Sequence, residues 1–437
     1  MLEKNKDQQA ILNKLGITQL NQMQQDAHDA ILSNAEVVLL SPTGTGKTLA
    51  FLLPIIAGLD PESEQVQVLI LVPSRELAIQ IEQVTREMGS GYKTNAVYGG
   101  RAGAKDKIDL KHPPAILIGT PGRIADHMRR QTIATNGIKT LVLDEFDKSL
   151  EIGFEVEMKE IIKALPSIKK KILTSATQRV EIPGFIGIKQ PKNLNYLSEV
   201  ITELKLKTII APSQDRLETL VKLLGHIGKG SGIVFCNLKD TIQIVSDYLH
   251  RKKIPHACFY GGLEQLDRER ALIKFRNGTH QLLVATDLAA RGIDVPEMDF
   301  IIHYQLPNKK EEFTHRNGRT ARMHSNGTAY IIKWKNEALP DFIIGSEVEE
   351  ITAGQTLNTS KWQTLYISGG RKDKISKGDI AGLFFKQGAL KKEELGTIEL
   401  KQDCAFVAVA STKAKALIPL LNNSRLKKKK VRISLLE

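Results

Sequence analysis

The sequence predicts an α/β protein with two parallel-sheet units in tandem and a small α+β unit behind them. Three observations predict it. Short apolar, β-branched runs alternate with amphipathic stretches, the pattern of strands buried on both faces with helices between them. That pattern occurs twice, and the periodicity fades between the two sets near 195–210. Beyond Lys361 a different order takes over, strand–helix–strand–strand–helix–strand. A chain of 437 residues has room for all three units, at roughly 100–200 residues per domain.

In the first unit the apolar runs are VVLL (37–40), VLILV (68–72), AILIGT (115–120), LVLDE (141–145) and KILTSA (171–176). Arg75–Met88 reads as one of the helices between them. In the second unit they are GIVFC (232–236), HACFY (256–260), QLLVATD (281–287), FIIHY (300–304) and TAYII (328–332). Helices fit Thr241–Arg251 and Leu266–Phe275. The third unit reads TLYIS (364–368), a helix over 376–385, a strand over 396–401, CAFVAVA (404–410), a helix over 412–421 and KKVRIS (429–434). This is the order of a ferredoxin-like or RRM-like fold. The domains expected are therefore 1–203, 204–345 and 361–437, with 346–360 as a linker.

The formal net charge is +13, and residues 361–437 hold 17 Lys/Arg against 7 Asp/Glu. Basic clustering at one end points to a polyanion partner. A solvated tail could carry the same charge. Tyr366, Ile367, Phe384, Phe385, Phe406, Val407 and Val409 instead give this segment the makings of a core. The widely spaced Cys236, Cys258 and Cys404 exclude a disulfide framework and a cysteine zinc site. The longest apolar run, Leu49 to Leu59, contains Pro54 and falls short of the ~20 residues a membrane span needs. The polar start MLEKNKDQQ has no apolar signal core behind it, so the expected compartment is the cytoplasm.

Two motifs in the first unit carry chemistry. Ser41-Pro42-Thr43-Gly44-Thr45-Gly46-Lys47-Thr48 follows the strand VVLL and resembles a P-loop. Small residues let backbone N–H groups wrap phosphates at a helix N-terminus. Lys47 would neutralise the β- and γ-phosphates, and Thr48 would ligate Mg²⁺. Ser41 stands where the strict pattern has Gly or Ala. The second motif, Asp144-Glu145-Phe146-Asp147, ends an apolar strand about a hundred residues later. Asp144 would hold Mg²⁺ through water, and Glu145 would position and deprotonate the attacking water.

With these motifs in order, the chain resembles a DEAD-box RNA helicase of superfamily 2 over roughly residues 14–335. Gly16 to Ala27 resembles the Q motif, with Gln24 at the adenine-reading position. Pro73-Ser74-Arg75-Glu76-Leu77, Gly99-Gly100 and Thr120-Pro121-Gly122-Arg123 resemble the motifs that hold RNA. Ser175-Ala176-Thr177 resembles motif III, which couples the ATP and RNA sites. Ile233-Val234-Phe235, Gln265 with Arg268, and Ala285 to Asp294 (ATDLAARGID) follow in the second unit, then His315-Arg316-Asn317-Gly318-Arg319-Thr320-Ala321-Arg322. The resemblance implies two RecA-like domains with ATP and Mg²⁺ as cofactors. It implies that Arg319 and Arg322, on one face of a helix, act as arginine fingers. Such fingers are worth ~10³–10⁵ in rate. It also implies that Asp294, and Asp287, tie ATP or motif VI to the second unit. Arg75, Gly99, Gly100, Thr120, Arg123, Arg268 and Thr286 would clamp a sugar–phosphate backbone without reading sequence. The chain departs from the pattern at Phe146, where a small residue is usual, at Ser74 in place of Thr, and at Leu20-Asn21-Gln22-Met23, which lacks the usual Pro-Thr.

The third unit resembles the RNA-binding domain of DbpA/YxiN-type helicases, through Gly370-Arg371-Lys372-Asp373-Lys374-Ile375 and Gly378-Asp379-Ile380. In that family it is an atypical RRM that recognises a hairpin of large-subunit ribosomal RNA. Arg371, Lys372, Lys374 and Lys377 would form a basic strip for phosphates. Tyr366 and Phe406 are the sheet candidates for base stacking, with Phe406 alternatively in the core. The expected function is a monomeric ATP-dependent RNA helicase that separates short duplexes in large ribosomal subunit assembly. A general RNA chaperone or decay helicase, an ATP-gated RNA clamp blunted by Phe146, and a DNA helicase are the rivals.

Overall fold

The computed structural model describes residues 8–100, 103–177, 181–197, 204–287, 298–320, 327–352 and 360–436. These form two compact units, one within the described residues up to 197 and one from 204 onward. No described helix is long and apolar enough to cross a membrane.

The first unit holds β1 (Glu36–Leu40), β2 (Val68–Leu71), β3 (Thr94–Val97), β4 (Ile116–Gly119), β5 (Thr140–Leu143), β6 (Lys170–Ser175) and β7 (Lys192–Asn195). They make a RecA-like sheet in the order β3-β4-β2-β5-β6-β1-β7, with parallel pairings throughout. Both faces are covered, which is why the strands read as continuous apolar runs. Side chains alternate between two cores. Val68 and Ile70 join Phe51, Leu52 and Ile81 on one face. Leu69 and Leu71 join Ile124, Met158 and Ile161 on the other. The helix Arg75–Met88 forms as expected: Ser74 caps its start by accepting from Leu77 N–H, and Gly89, in the left-handed region at φ +60°, ends it.

The second unit begins with β8 (Leu204–Ala211), β9 (Gly232–Phe235), β10 (Ala257–Phe259), β11 (Leu282–Ala285), β12 (Phe300–His303), β13 (Gly327–Trp334) and β14 (Glu347–Val348). They form a second parallel RecA-like sheet, β10-β11-β9-β12-β13-β8-β14. Behind it come β15 (Trp362–Ile367), β16 (Leu395–Leu400), β17 (Ala405–Ala410), β18 (Arg425–Leu426), β19 (Lys429–Lys430) and β20 (Ile433–Leu435). β16-β17-β15-β20 is an antiparallel sheet, with the helices Lys377–Lys386 and Ser411–Leu421 on one face.

Three local expectations change. The stretch of fading periodicity contains strands: β7 is a polar edge strand, and LKLKTIIA in β8 alternates rather than running apolar. Part of the segment expected as a linker, β14, pairs with β8, and Glu349 next to it bonds Lys207 and His226. KKVRIS is not one strand. Lys429–Lys430 pairs with Arg425–Leu426 in a hairpin that turns through Lys427 at φ +54°, and only Ile433–Leu435 reaches the sheet.

The second unit holds a buried histidine, His303, and a half-buried one, His280, that resist protonation. His303 stacks on Phe313 at 4.7 Å and donates from Nε2 to Asn317 Oδ1 at 3.0 Å. Burial, then the nearby Arg316 charge, pushes it down to about 3. Burial, then Lys274, pushes His280 down to about 4. In the unfolded chain a histidine titrates near ~6.5, so below that pH the unfolded state takes up protons that the fold refuses. Stability is then full above the unfolded value and falls as the pH drops toward the folded ones, by about 1.4 kcal/mol per pH unit for each group. Urea unfolding at about pH 7.5 and about pH 5 checks this: the midpoint should be lower in acid, and equal midpoints would refute it.

Candidate functional site

The phosphate loop leaves the end of β1 and enters the helix Lys47–Ala57. Gly44 and Gly46 sit at φ +86° and +89°, where a Cβ is strained. A Cβ at Gly46 would also come within 2.3 Å of Gln24 Nε2. Lys47 is buried and donates to the carbonyls of Ser41 (2.5 Å) and Pro42 (2.8 Å). Thr45 donates to Pro42 O at 2.9 Å, so the Ser41 hydroxyl donates to Thr45 Oγ1, 2.8 Å away. Ser41 is thus accommodated by a partner inside the loop. Gln24 lies beneath the same loop. It exchanges bonds with Asn21 in a capping box (3.0 and 2.9 Å) and donates to Gly46 O at 3.3 Å, while Asn21 Nδ2 donates to Thr45 O at 3.1 Å. Asn21 is a residue that motif matching passed over. Its signal was the capping-box spacing Asn21-x-x-Gln24.

The carboxylates stand at the end of β5. Asp144 is fully buried, and burial pushes its carboxyl up, opposed chiefly by the Thr174 hydroxyl and then by the Lys47 charge. Thr174 donates to Asp144 Oδ1, and Glu145 N–H donates to Thr174 Oγ1 at 3.2 Å. Glu145 occupies the left-handed region at φ +49°, which costs a residue with a Cβ roughly 1–2 kcal/mol. Asp147 accepts from Thr177 Oγ1 at 2.8 Å, and Thr177 N–H donates to Ser175 Oγ at 2.9 Å. Motif III is therefore bonded to the last residue of Asp144-Glu145-Phe146-Asp147. Backbone amides at a helix N-terminus, an ammonium, the Thr48 hydroxyl in the first turn and a buried carboxylate suit a phosphate chain with a divalent cation.

The strand ends on the other half of this sheet carry the residues expected to meet RNA. Arg75 opens the helix after β2 and lies against Gly99 and Gly100. A Cβ at Gly100, φ +83°, would come within 2.5 Å of Arg75 Nη1. Thr120 is buried at the start of the helix that follows β4. Arg123, one turn on, is held by the buried Asp106 (2.9 and 2.7 Å) and by Asp126 (3.1 Å), and Asp106 also meets His127 Nε2 at 3.1 Å. Sequence gave no signal for Asp106, which meets Arg123 only through the packing of two helices.

In the second unit, Thr286 follows β11 and the Arg268 guanidinium lies over the Phe259 ring at 4.9 Å. The fully buried Arg316 organises the strand ends around it. It bonds both oxygens of Asp287, Gln305 O (2.6 Å) and Asn237 Oδ1 (2.7 Å), and lies over Phe235. Asp287 therefore ties motif VI, one of its two expected roles. The expectation of one helix face shared by Arg319 and Arg322 does not hold for Arg319. The helix Lys310–Asn317 stops at Asn317-Gly318; beyond it the Arg319 carbonyl accepts from Met298 N–H at 3.2 Å and the Thr320 hydroxyl donates to Met298 O at 2.6 Å. Arg319 is buried beyond the helix end. Arg322 and Asp294 lie outside the described residues.

Arg371, Lys372 and Lys374 come together on one tight turn, secured by Arg371 N–H to Lys401 O (3.0 Å) and Lys372 N–H to Gln402 O (2.8 Å). Lys372 and Lys374 are exposed. Tyr366 and Phe406 do not form an open stacking platform. Their rings pair at 5.8 Å and pack with Leu436 against Ile273, from the helix Gln265–Arg276. Arg276 bonds both oxygens of Glu399 (2.8 and 2.7 Å), and Thr279 bonds Thr364 at 2.7 Å. The sheet face is covered because apolar and paired polar groups from the preceding domain complement it.

Phe146 points away from the chemistry. It is 1% exposed and belongs to the core with Ile124, Leu143 and Leu173. Phe146→Ala should therefore leave a cavity costing about 3–5 kcal/mol. The melting temperature should fall, while ATP turnover per folded molecule stays near wild type. A gain or loss of turnover without loss of stability would refute this.

The chain matches the family models of the DEAD/DEAH box helicase (21–182), the helicase conserved C-terminal domain (215–324) and the DbpA RNA binding domain (364–435). It is 32% identical to the ATP-dependent RNA helicase DbpA of Escherichia coli, over 98% of this chain and 96% of that one. It is 29% identical to DbpA of Bacillus subtilis, over 97% and 96%. Among solved structures it resembles S. cerevisiae Dbp5 bound to RNA and ADP BeF3, with a TM-score of 0.68 and 26% identity over 77% of this chain and 88% of that one. Mss116p bound to ssRNA and AMP-PNP gives 0.68 and 25% over 80% and 78%. A phosphate loop beside a buried carboxylate, an adjacent row of arginine and glycine strand ends, and a basic RRM-like domain thus belong to a DEAD-box ATP-dependent RNA helicase, an enzyme that couples ATP hydrolysis to RNA unwinding, with a DbpA-type RNA-binding domain.

Proposed function

We propose that this helicase acts on large-subunit ribosomal RNA during ribosome assembly, addressed by its C-terminal domain, and works as a cytoplasmic monomer. The observation that carries the reading is the exposed turn with Lys372 and Lys374, on a domain whose sheet face is already covered. Its RNA contacts then come from basic loops rather than stacked bases, which suits a structured hairpin more than a single strand. The domains proposed are 1–203, 204–345 and 361–437.

Lys47, with the amides of Ser41 to Thr48, holds the phosphates in this reading. Thr48 and Asp144 hold Mg²⁺, which supplies charge neutralisation on the transferred phosphoryl group. Glu145 takes the proton of the attacking water, Gln24 meets the adenine, and Arg319 and Arg322 stabilise the leaving charge. Ser175 and Thr177 pass the state of Asp147 toward the RNA-binding strand ends. Arg75, Gly99, Gly100, Thr120, Arg123, Arg268 and Thr286 hold the RNA backbone.

Steady-state ATPase with no nucleic acid, bulk RNA, a large-subunit ribosomal RNA hairpin and single-stranded DNA tests the address. Stimulation by the hairpin far above bulk RNA is expected. Equal stimulation by any RNA would indicate a general RNA chaperone or decay helicase instead. Glu145→Gln should bind ATP and fail to hydrolyse it, and near-normal turnover would remove Glu145 from the role of base. Reversing Arg371, Lys372 and Lys374 to Glu should lower the slope of log affinity against log salt by about 2. An unchanged slope would mean the turn does not touch RNA.

A further inference from the structure

We propose that Thr174 is a positioning residue for ATP hydrolysis, setting both the metal-side carboxylate and the base through a single hydroxyl. The inference rests on the assignment of Asp144 and Glu145 to those roles. Thr174 lies on β6, the strand between β1, which leads into the phosphate loop, and β5, which ends at the carboxylates. It stands opposite Leu39 of β1, and one step on, Ser41 N–H bonds Ser175 O at 3.0 Å. Its side chain is fully buried.

A threonine hydroxyl has one proton to give and lone pairs to receive. Here the proton goes to Asp144 Oδ1, and a lone pair receives Glu145 N–H. The first bond sets the direction in which the Asp144 carboxylate faces. The second holds the turn that puts Glu145 at φ +49°. An apolar side chain of the same shape would leave a buried carboxylate oxygen and a buried amide without these partners. Thr174 sits one residue before the Ser175-Ala176-Thr177 motif, so motif matching stops short of it.

Thr174→Val keeps the shape and removes the hydroxyl, and Thr174→Ser keeps the hydroxyl. In the full chain three quantities are read: kcat and KM for ATP at saturating RNA, the Mg²⁺ concentration for half-maximal tightening of fluorescent ADP binding, and the melting temperature. Thr174→Val should lower kcat about 10–100-fold with KM little changed, and raise the Mg²⁺ requirement by a similar factor, while Thr174→Ser restores both. Metal-free ADP binding should stay at wild type. A lower melting temperature with normal kcat and normal Mg²⁺ requirement would make Thr174 a packing residue and overturn the proposal. A loss confined to Thr174→Ser would assign the effect to the γ-methyl, and equal losses in both variants would assign it to side-chain shape rather than to the hydroxyl; either would overturn it. If Thr174→Val does not fold, Thr174→Ala against Thr174→Ser decides on the same readouts. Glu145→Gln run alongside separates the two levels: full turnover there sinks the base assignment, and the Mg²⁺ requirement of Thr174→Val still tests the Asp144 arm.

Discussion

A carboxylate taken wholly out of water must be compensated, and the first unit is organised around doing that for Asp144. Desolvation pushes its proton affinity up, while the Thr174 hydroxyl and the Lys47 charge hold it down. These partners come from different strand ends. Thr174 is the penultimate residue of β6, the strand beside β5, and Lys47 follows the loop after β1. They meet only because β5, β6 and β1 are neighbours in a parallel sheet. Parallel pairing puts every carboxyl end on one edge, so the loops that carry chemistry share one rim.

That rim is divided. β5, β6 and β1 carry the phosphate loop, the carboxylate motif and motif III, while β3, β4 and β2 carry Gly99, Gly100, Thr120, Arg123 and Arg75. The bond from Thr177 to Asp147 joins the carboxylate motif to the strand that follows it. The carboxylate motif and motif III are thus in direct hydrogen-bond contact. In the second unit Arg316 plays the compensating role. A buried guanidinium satisfied by Asp287, Asn237 and Gln305 locks three strand-end loops together. The C-terminal domain is held by similar means, an apolar patch around Ile273 flanked by the Arg276–Glu399 pair.

The fold was largely legible. Continuous apolar runs located the central strands of both parallel sheets to within a residue or two, because burial on both faces leaves little room for polar side chains. The edge strands of these two sheets escaped that reading, apart from β10. β7 and β14 are partly solvated, so their composition resembles loop. The phosphate loop and the Asp144-Glu145 pair stand out in the sequence because such motifs place particular residue types at fixed spacing. Gln24 was legible as a motif position, and its capping partner Asn21 only as a local pattern.

Sequence by itself determined the three-part α/β architecture, the strand ends that bear chemistry and the family, since periodicity and motif spacing are local properties of the chain. Tertiary structure decided which residues support them. It assigned Thr174 to Asp144, Asp106 to Arg123 and Asp287 to Arg316, placed Phe146 in the core, and covered Tyr366 and Phe406 with the neighbouring domain. Each of these depends on which side chains are brought together across tens of residues. A buried polar group or an aromatic ring takes its role from what it meets there, and that meeting is absent from the linear order.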